Sequence, residues 1–194
     1  QWTCNTAPTG YTGARCAYIT NDVDGTPPVP PNTYTMIQAR SFVFYKDVTI
    51  PAGEDIILLN FKWKCVGEGV NDRMRIWIVP TSYLPAYATP VAATGAAPTG
   101  RVNIGSLAGG LTEYSGSATW VTSPQIALPA VYAGTSFRLI IEWRNDALVG
   151  TGLDPAAAID DISLTSQGFN DDCITAKALN VTSACMPETF TNVG

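Results

Sequence analysis

Acidic side chains gathered beside glycine and alanine are the residues in this chain best placed to do chemistry. The segment WRNDALVGTGLDPAAAIDDIS, residues 143–163, holds four aspartates, and GEGVNDR, residues 67–73, adds Glu68 and Asp72. Carboxylates of this kind suit either paired acid–base work on a glycosidic bond or oxygen ligation of a hard cation such as calcium. The first is disfavoured: Glu54, Glu68, Glu113 and Glu142 have no recognisable catalytic setting, and Glu142 alternates toward solvent between Ile141 and Trp143. The second gives a candidate structural calcium set of Glu68, Asp72, Asp146, Asp160 and Asp161, with Asn145 beside it. A simpler reading stands next to it, in which Asp160 or Asp161 pairs with Arg73 or Arg144 and Asp146 caps a turn. In AIDDISL, Ile159 and Asp161 share one face of a strand and Asp160 and Ile162 the other, so one aspartate is expected to face inward and need a cation.

Other chemistries lack their parts. The chain has no histidine, which removes the base that Ser-His-Asp and Cys-His nucleophiles need. GTGLD lacks the phosphate-binding glycine pattern, and no EF-hand loop occurs. No enzymatic activity is expected. With 14% charged residues and a net charge of -5, the chain would repel a phosphate backbone or an anionic bilayer, and no apolar run reaches spanning length. Neither nucleic-acid binding nor membrane insertion is expected.

The elements that must hold these residues read as short strands between turns. In DIILLNFKWKC, Ile57, Leu59, Phe61, Trp63 and Cys65 share one face and Asn60, Lys62 and Lys64 the other, the period of a half-buried strand. RMRIWIVPT sets Met74, Ile76 and Ile78 against Arg73, Arg75 and Trp77. SFRLIIEWRND sets Phe137, Leu139, Ile141 and Trp143 against Arg138, Glu142 and Arg144. SFVFYKDVTI, closed by PAGEDI, predicts a hairpin with the strand that follows, and ATWVTSPQIALPA and AIDDISLTS complete seven or eight strands. An all-β sandwich of two antiparallel sheets is predicted over 1–167. Residues 168–194, with new polar text and a new cysteine pair, read as the start of a following module, so the chain is expected to be part of a longer protein.

Five cysteines fall into two close pairs and a remainder. Disulfides Cys4–Cys16 and Cys173–Cys185 are predicted, with Cys65 an inward free thiol, and this usage favours an oxidising compartment. Gln1 opens the chain without a basic-then-apolar leader, so any signal peptide is expected to have been removed or to lie outside this sequence. The long stretch from Tyr83 to Ser117, rich in alanine and glycine, predicts an extended surface loop carrying Tyr83, Tyr87 and Tyr114 as exposed aromatics. Together with Trp77 they form the candidate ligand-binding set, since aromatic planes stack on the apolar faces of sugar rings.

Taken in order, CAYIT, FVFYKDVTIPAGED, LLNFKWKCVGEGVNDRMRIWIVPTS, GTSFRLIIEWRND and PAAAIDDISL resemble the jelly-roll cleaved-adhesin-like modules of type IX-secreted surface proteins of Bacteroidota, of gingipain haemagglutinin and gliding-adhesin type. The resemblance covers residues 2–166. Its most specific parts are W-K-x-x-G-E-x-x-x-D, residues 63–72, and the pair W-R-N-D and A-I-D-D-I. It implies a jelly roll displayed extracellularly at the outer-membrane cell surface, calcium at acidic motifs matching Glu68, Asp72, Asp146, Asp160 and Asp161, and tandem neighbouring modules. NDDCITAKALNV is similar to the opening of a module found downstream in such proteins. The expected function is non-catalytic adhesion to a glycan or protein ligand. The alternatives are a spacer or filament subunit that stacks with copies of the same chain, and a carbohydrate-binding accessory domain of a secreted hydrolase.

Overall fold

The structure, a computed structural model, describes residues 1–6, 8–21, 33–34, 38–67, 71–148 and 155–168. Among these residues ten strands are present: β1 (Trp2–Asn5), β2 (Cys16–Ile19), β3 (Arg40–Thr49), β4 (Glu54–Cys65), β5 (Arg73–Pro80), β6 (Val102–Asn103), β7 (Ser117–Thr122), β8 (Ile126–Leu128), β9 (Ser136–Asn145) and β10 (Ala158–Gly168). They form two antiparallel sheets, one of six strands in the order β1-β2-β10-β4-β7 with β8 also on β4, and one of four in the order β3-β9-β5-β6. The chain is an all-β sandwich, as the alternation predicts. The second-module boundary at 168 meets the limit of the described residues, and 169–194 lie outside them.

The period-two patterns place the core. Ile57, Leu59, Phe61, Trp63 and Cys65 of β4 face Met74, Ile76 and Ile78 of β5 and Phe137, Leu139, Ile141 and Trp143 of β9 in one buried cluster between the sheets. Side chains alternate across a strand, so each of these strands gives one complete face to that core.

Two connections differ from expectation. The PAGEDI turn does not close a hairpin, because β3 belongs to the four-stranded sheet and β4 to the six-stranded one; the turn carries the chain across the sandwich. ATWVTSPQIALPA is two strands rather than one. Ser123 between them accepts the Phe61 N–H at 3.0 Å through its hydroxyl, and Pro124 has no N–H to continue a ladder.

The outer faces are not both wet. On the four-stranded sheet the register aligns rows: Asp47, Arg138 and Val79; Tyr45, Ile140 and Trp77; Val43, Glu142 and Arg75; Ser41, Arg144 and Arg73. The predicted extended loop folds back over this grid. Val91 packs on Trp77, Val79 and Ile140 in a second small cluster. Glu142, predicted to face solvent, is fully buried there. Its carboxylate accepts the Ser41 hydroxyl at 3.0 Å, the Trp77 indole N–H at 2.7 Å and the Val91 backbone N–H at 2.8 Å. A buried carboxylate supplied with three donors ties loop to sheet.

Candidate functional site

The predicted acidic set separates into two places. Asp160 and Asp161 sit in β10 where the register slips between Asp160 and Ser163, a bulge opposite Phe61 of β4. Asp161 has φ of 47°. Ile159 and Leu164 both pack against the core but stand five residues apart, an odd spacing that strict alternation forbids and one extra residue restores. The expectation of an inward aspartate is therefore overturned, and both carboxylates lie on the outer side. There they bind the 8–15 loop rather than an arginine: Asp160 accepts the backbone N–H of Tyr11 at 2.7 Å and of Thr12 at 3.3 Å, and the Thr12 hydroxyl donates to Asp161.

Asp72 and Asp146 meet elsewhere, at the ends of β5 and β9. Asp72 is 1% exposed and accepts the Tyr34 hydroxyl at 2.5 Å and the Asp146 N–H at 3.0 Å. Burial pushes its carboxyl above the usual range, and those two hydrogen bonds oppose the shift. Asp146 caps a turn by accepting the Leu148 N–H at 2.8 Å, as the simpler reading predicts. Glu68 lies outside the described residues. Among the described residues no three Asp, Glu or Cys side chains converge, and both oxygens of Asp72 and Oδ1 of Asp146 already accept protein donors. These two carboxylates do not supply the shell of six to eight oxygens that calcium takes. Arg73 pairs with Glu113 at 3.0 Å, not with Asp160 or Asp161, and Glu113 also receives Arg75 at 2.8 Å.

The Cys4–Cys16 disulfide is absent: both thiols are free, as is that of Cys65. In the β1–β2 register Cys4 stands opposite Ala17 and Cys16 opposite Asn5, so the two side chains leave opposite faces of the ribbon. Closeness in sequence is undone by a one-residue offset. Cys16 is buried, which pushes its thiol up to about 11 and leaves it inert at neutral pH. Cys173 and Cys185 lie outside the described residues.

The aromatic candidates divide just as sharply. Trp77 is 3% exposed and Tyr114 fully buried. The loop covers Trp77. Tyr114 makes a backbone bridge to Met74 and stacks edge-on with Phe61 and Trp63. Neither is available to a ligand. Tyr83 and Tyr87 both lie on the outer side of the four-stranded sheet, Tyr83 half-buried against the Trp77 cluster and Tyr87 across a groove from a residue the sequence pattern did not single out, Tyr45 of β3. A groove of about 300 Å³ runs between β3 and the folded-back loop, lined by Ser41, Val43, Tyr45, Pro85 and Tyr87 among others. Tyr87 is 82% exposed, Leu84 73% and Tyr45 46%. A second cavity of about 380 Å³ shares Phe42 and Tyr87 with it.

The groove floor is firmly set. Arg138 holds Asp47 through two hydrogen bonds of 2.6 and 2.9 Å, donates to the Tyr83 carbonyl at 2.7 Å, and lies 4.1 Å from the Tyr45 ring centre. The paired guanidinium keeps the Asp47 carboxyl below its ordinary range. Arg101 lies 5.0 Å from the Tyr83 ring. The signal for Tyr45 was its odd-numbered position in SFVFYKDV, on the face with Val43 and Asp47. A smaller aromatic surface occurs on the other sheet, where Tyr11 meets Trp120 edge-on and Lys62 and Lys64 cap the two rings.

No protein-family model, curated protein or solved structure matches this chain.

Proposed function

We propose that the chain is a non-catalytic adhesion module of a larger secreted surface protein, and that it takes a glycan in the groove between β3 and residues 83–91. The observation that carries this reading is the exposed pair Tyr45 and Tyr87 flanking one groove. Tyr45 stands on a strand and is backed by the Arg138–Asp47 pair, so little side-chain freedom is lost when a sugar ring packs on it. The phenol hydroxyls of the two tyrosines would give the apolar planes their polar edges. The resemblance to jelly-roll adhesin modules of type IX-secreted proteins supports display at the outer-membrane surface beside further modules. As an accessory domain of a hydrolase the chain would use the same groove.

Retention on a glycan array tests the proposal. The parent is expected to retain a subset of oligosaccharides, and Tyr45→Ala and Tyr87→Ala each to lose about tenfold or more, while Tyr11→Ala on the opposite sheet binds as the parent does. Equal binding by the Tyr45 and Tyr87 variants would remove the groove from the site. Concentration-dependent assembly with no retained ligand would favour the spacer or filament subunit instead.

A further inference from the structure

The last row of the outer grid is out of electrostatic balance. Arg144 of β9 and Arg73 of β5 stand directly opposite each other, an arrangement that costs stability when both carry the same charge. Arg75, one row along on the same face, adds a third guanidinium. Among the described residues, two carboxylates face these three cations. Glu113 is shared between Arg73 and Arg75, and Glu142 is occupied by Ser41, Trp77 and Val91. Asp72 turns to Tyr34 and the Asp146 N–H instead. Arg73 is 7% exposed, and among the described residues its buried Nη1 has no hydrogen-bond partner, the condition of a donor awaiting an acceptor. Arg144 is half-buried and makes no ion pair among the described residues. Its register partner on the other side is Ser41, which lines the aromatic groove.

We propose that Arg144, with the buried Arg73 guanidinium behind it adding positive charge, forms an anion subsite at the end of the β3 groove and selects glycans that bear carboxylate or sulfate groups. The polymer part of this inference rests on the glycan reading, whereas the subsite stands on the arginine row alone. A planar guanidinium pairs with either oxyanion through two parallel hydrogen bonds. A sugar ring on Tyr45 would set its charged substituent along the grid toward Ser41 and Arg144. Such a ligand would also relieve the like-charge repulsion across β5 and β9.

Two measurements separate the subsite from the polymer. The first is a sodium sulfate titration at constant ionic strength, followed by amide shifts of Ser41, Arg73 and Arg144. Saturable shifts are expected in the parent and none in Arg144→Gln, which should be at least as stable as the parent because a repulsion is removed. The second compares hexasaccharides: oligogalacturonate and chondroitin sulfate against a neutral cellohexaose. The acidic ligands are expected to bind about tenfold tighter than the neutral one, and Arg144→Gln to erase that preference. A preference confined to chondroitin sulfate identifies sulfate as the group selected, whereas tight binding of both acidic ligands points to the carboxylate that both carry. Neutral and acidic ligands binding alike without sulfate shifts would overturn the subsite and leave the glycan reading intact. Sulfate shifts without any oligosaccharide binding would do the reverse. Loss of stability in Arg144→Gln without sulfate shifts in the parent would assign Arg144 to structure alone.

Discussion

Residues 8–15 cover the outer face of the six-stranded sheet and residues 83–91 that of the four-stranded sheet, yet the two covers are attached differently. The first is held at its surface by the outward carboxylates of a bulge, Asp160 and Asp161, which receive donors from Tyr11 and Thr12. The second is held from beneath by one fully buried carboxylate, Glu142, and encloses an apolar cluster of its own. Water competes for the first set of bonds and not for the second. Unequal energetic weight follows, since an unmatched buried donor loses its full solvation while an exposed one recovers it from water.

Glu142→Leu should show the difference most strongly. It strands the Trp77 indole N–H and the Val91 N–H in an apolar cluster, and a loss of about 3 kcal/mol or more is expected in urea unfolding. A loss under about 1 kcal/mol would mean that the cover is held by packing alone. Asp160→Ala should cost less, about 1–2 kcal/mol, with a change in Trp120 fluorescence as Tyr11 leaves it. Should this variant prove the more damaging, the contrast between the covers would be reversed.

The smallest effects are those of pH, and here two aspartates carry opposite signs. The folded-state carboxyl of Asp72 titrates above its unfolded value, so its contribution is fully present below the unfolded value, about pH 4, and is lost as pH rises through the folded one. Asp47 titrates below its unfolded value because of Arg138. Its contribution is present above about pH 4 and is lost as pH falls through the folded value. Asp72→Asn should therefore raise stability relative to the parent near neutral pH, whereas Asp47→Asn should flatten the acid limb by a small amount, as the pair is half-exposed. Unfolding midpoints measured across the acid range check both; parallel curves for parent and variants would dismiss the assignment.

Inward faces were legible because apolar residues at every second position in β4, β5 and β9 admit one interpretation. The outer faces were not. Alternation distinguishes two sides of a strand without telling which is wet, and Trp77 and Glu142 were misread because their cover arrives from a loop with no periodicity. Tyr114 went the same way: a lone aromatic among glycines gives no sign that its backbone will bridge to Met74. The Cys4–Cys16 prediction failed on register, which spacing along the chain does not encode. Asp72 and Asp146 could be picked out as special, but their partners, Tyr34 and a backbone N–H, are long-range. The groove was half visible, through Tyr87. Tyr45 was hidden inside an ordinary strand pattern.

The bulge in β10 also bears on how this sandwich could change length over generations. A strand with one buried side has a reading frame of two, and an inserted or deleted residue inverts everything beyond it. Between Asp160 and Ser163 that frame already carries one extra residue. Loss of Asp161 would bring Ile162 opposite Phe61 and leave Leu164 in phase, so a one-residue deletion here spares the rest of the strand. In the middle of β4, where no such slack exists, the same event would turn the core outward.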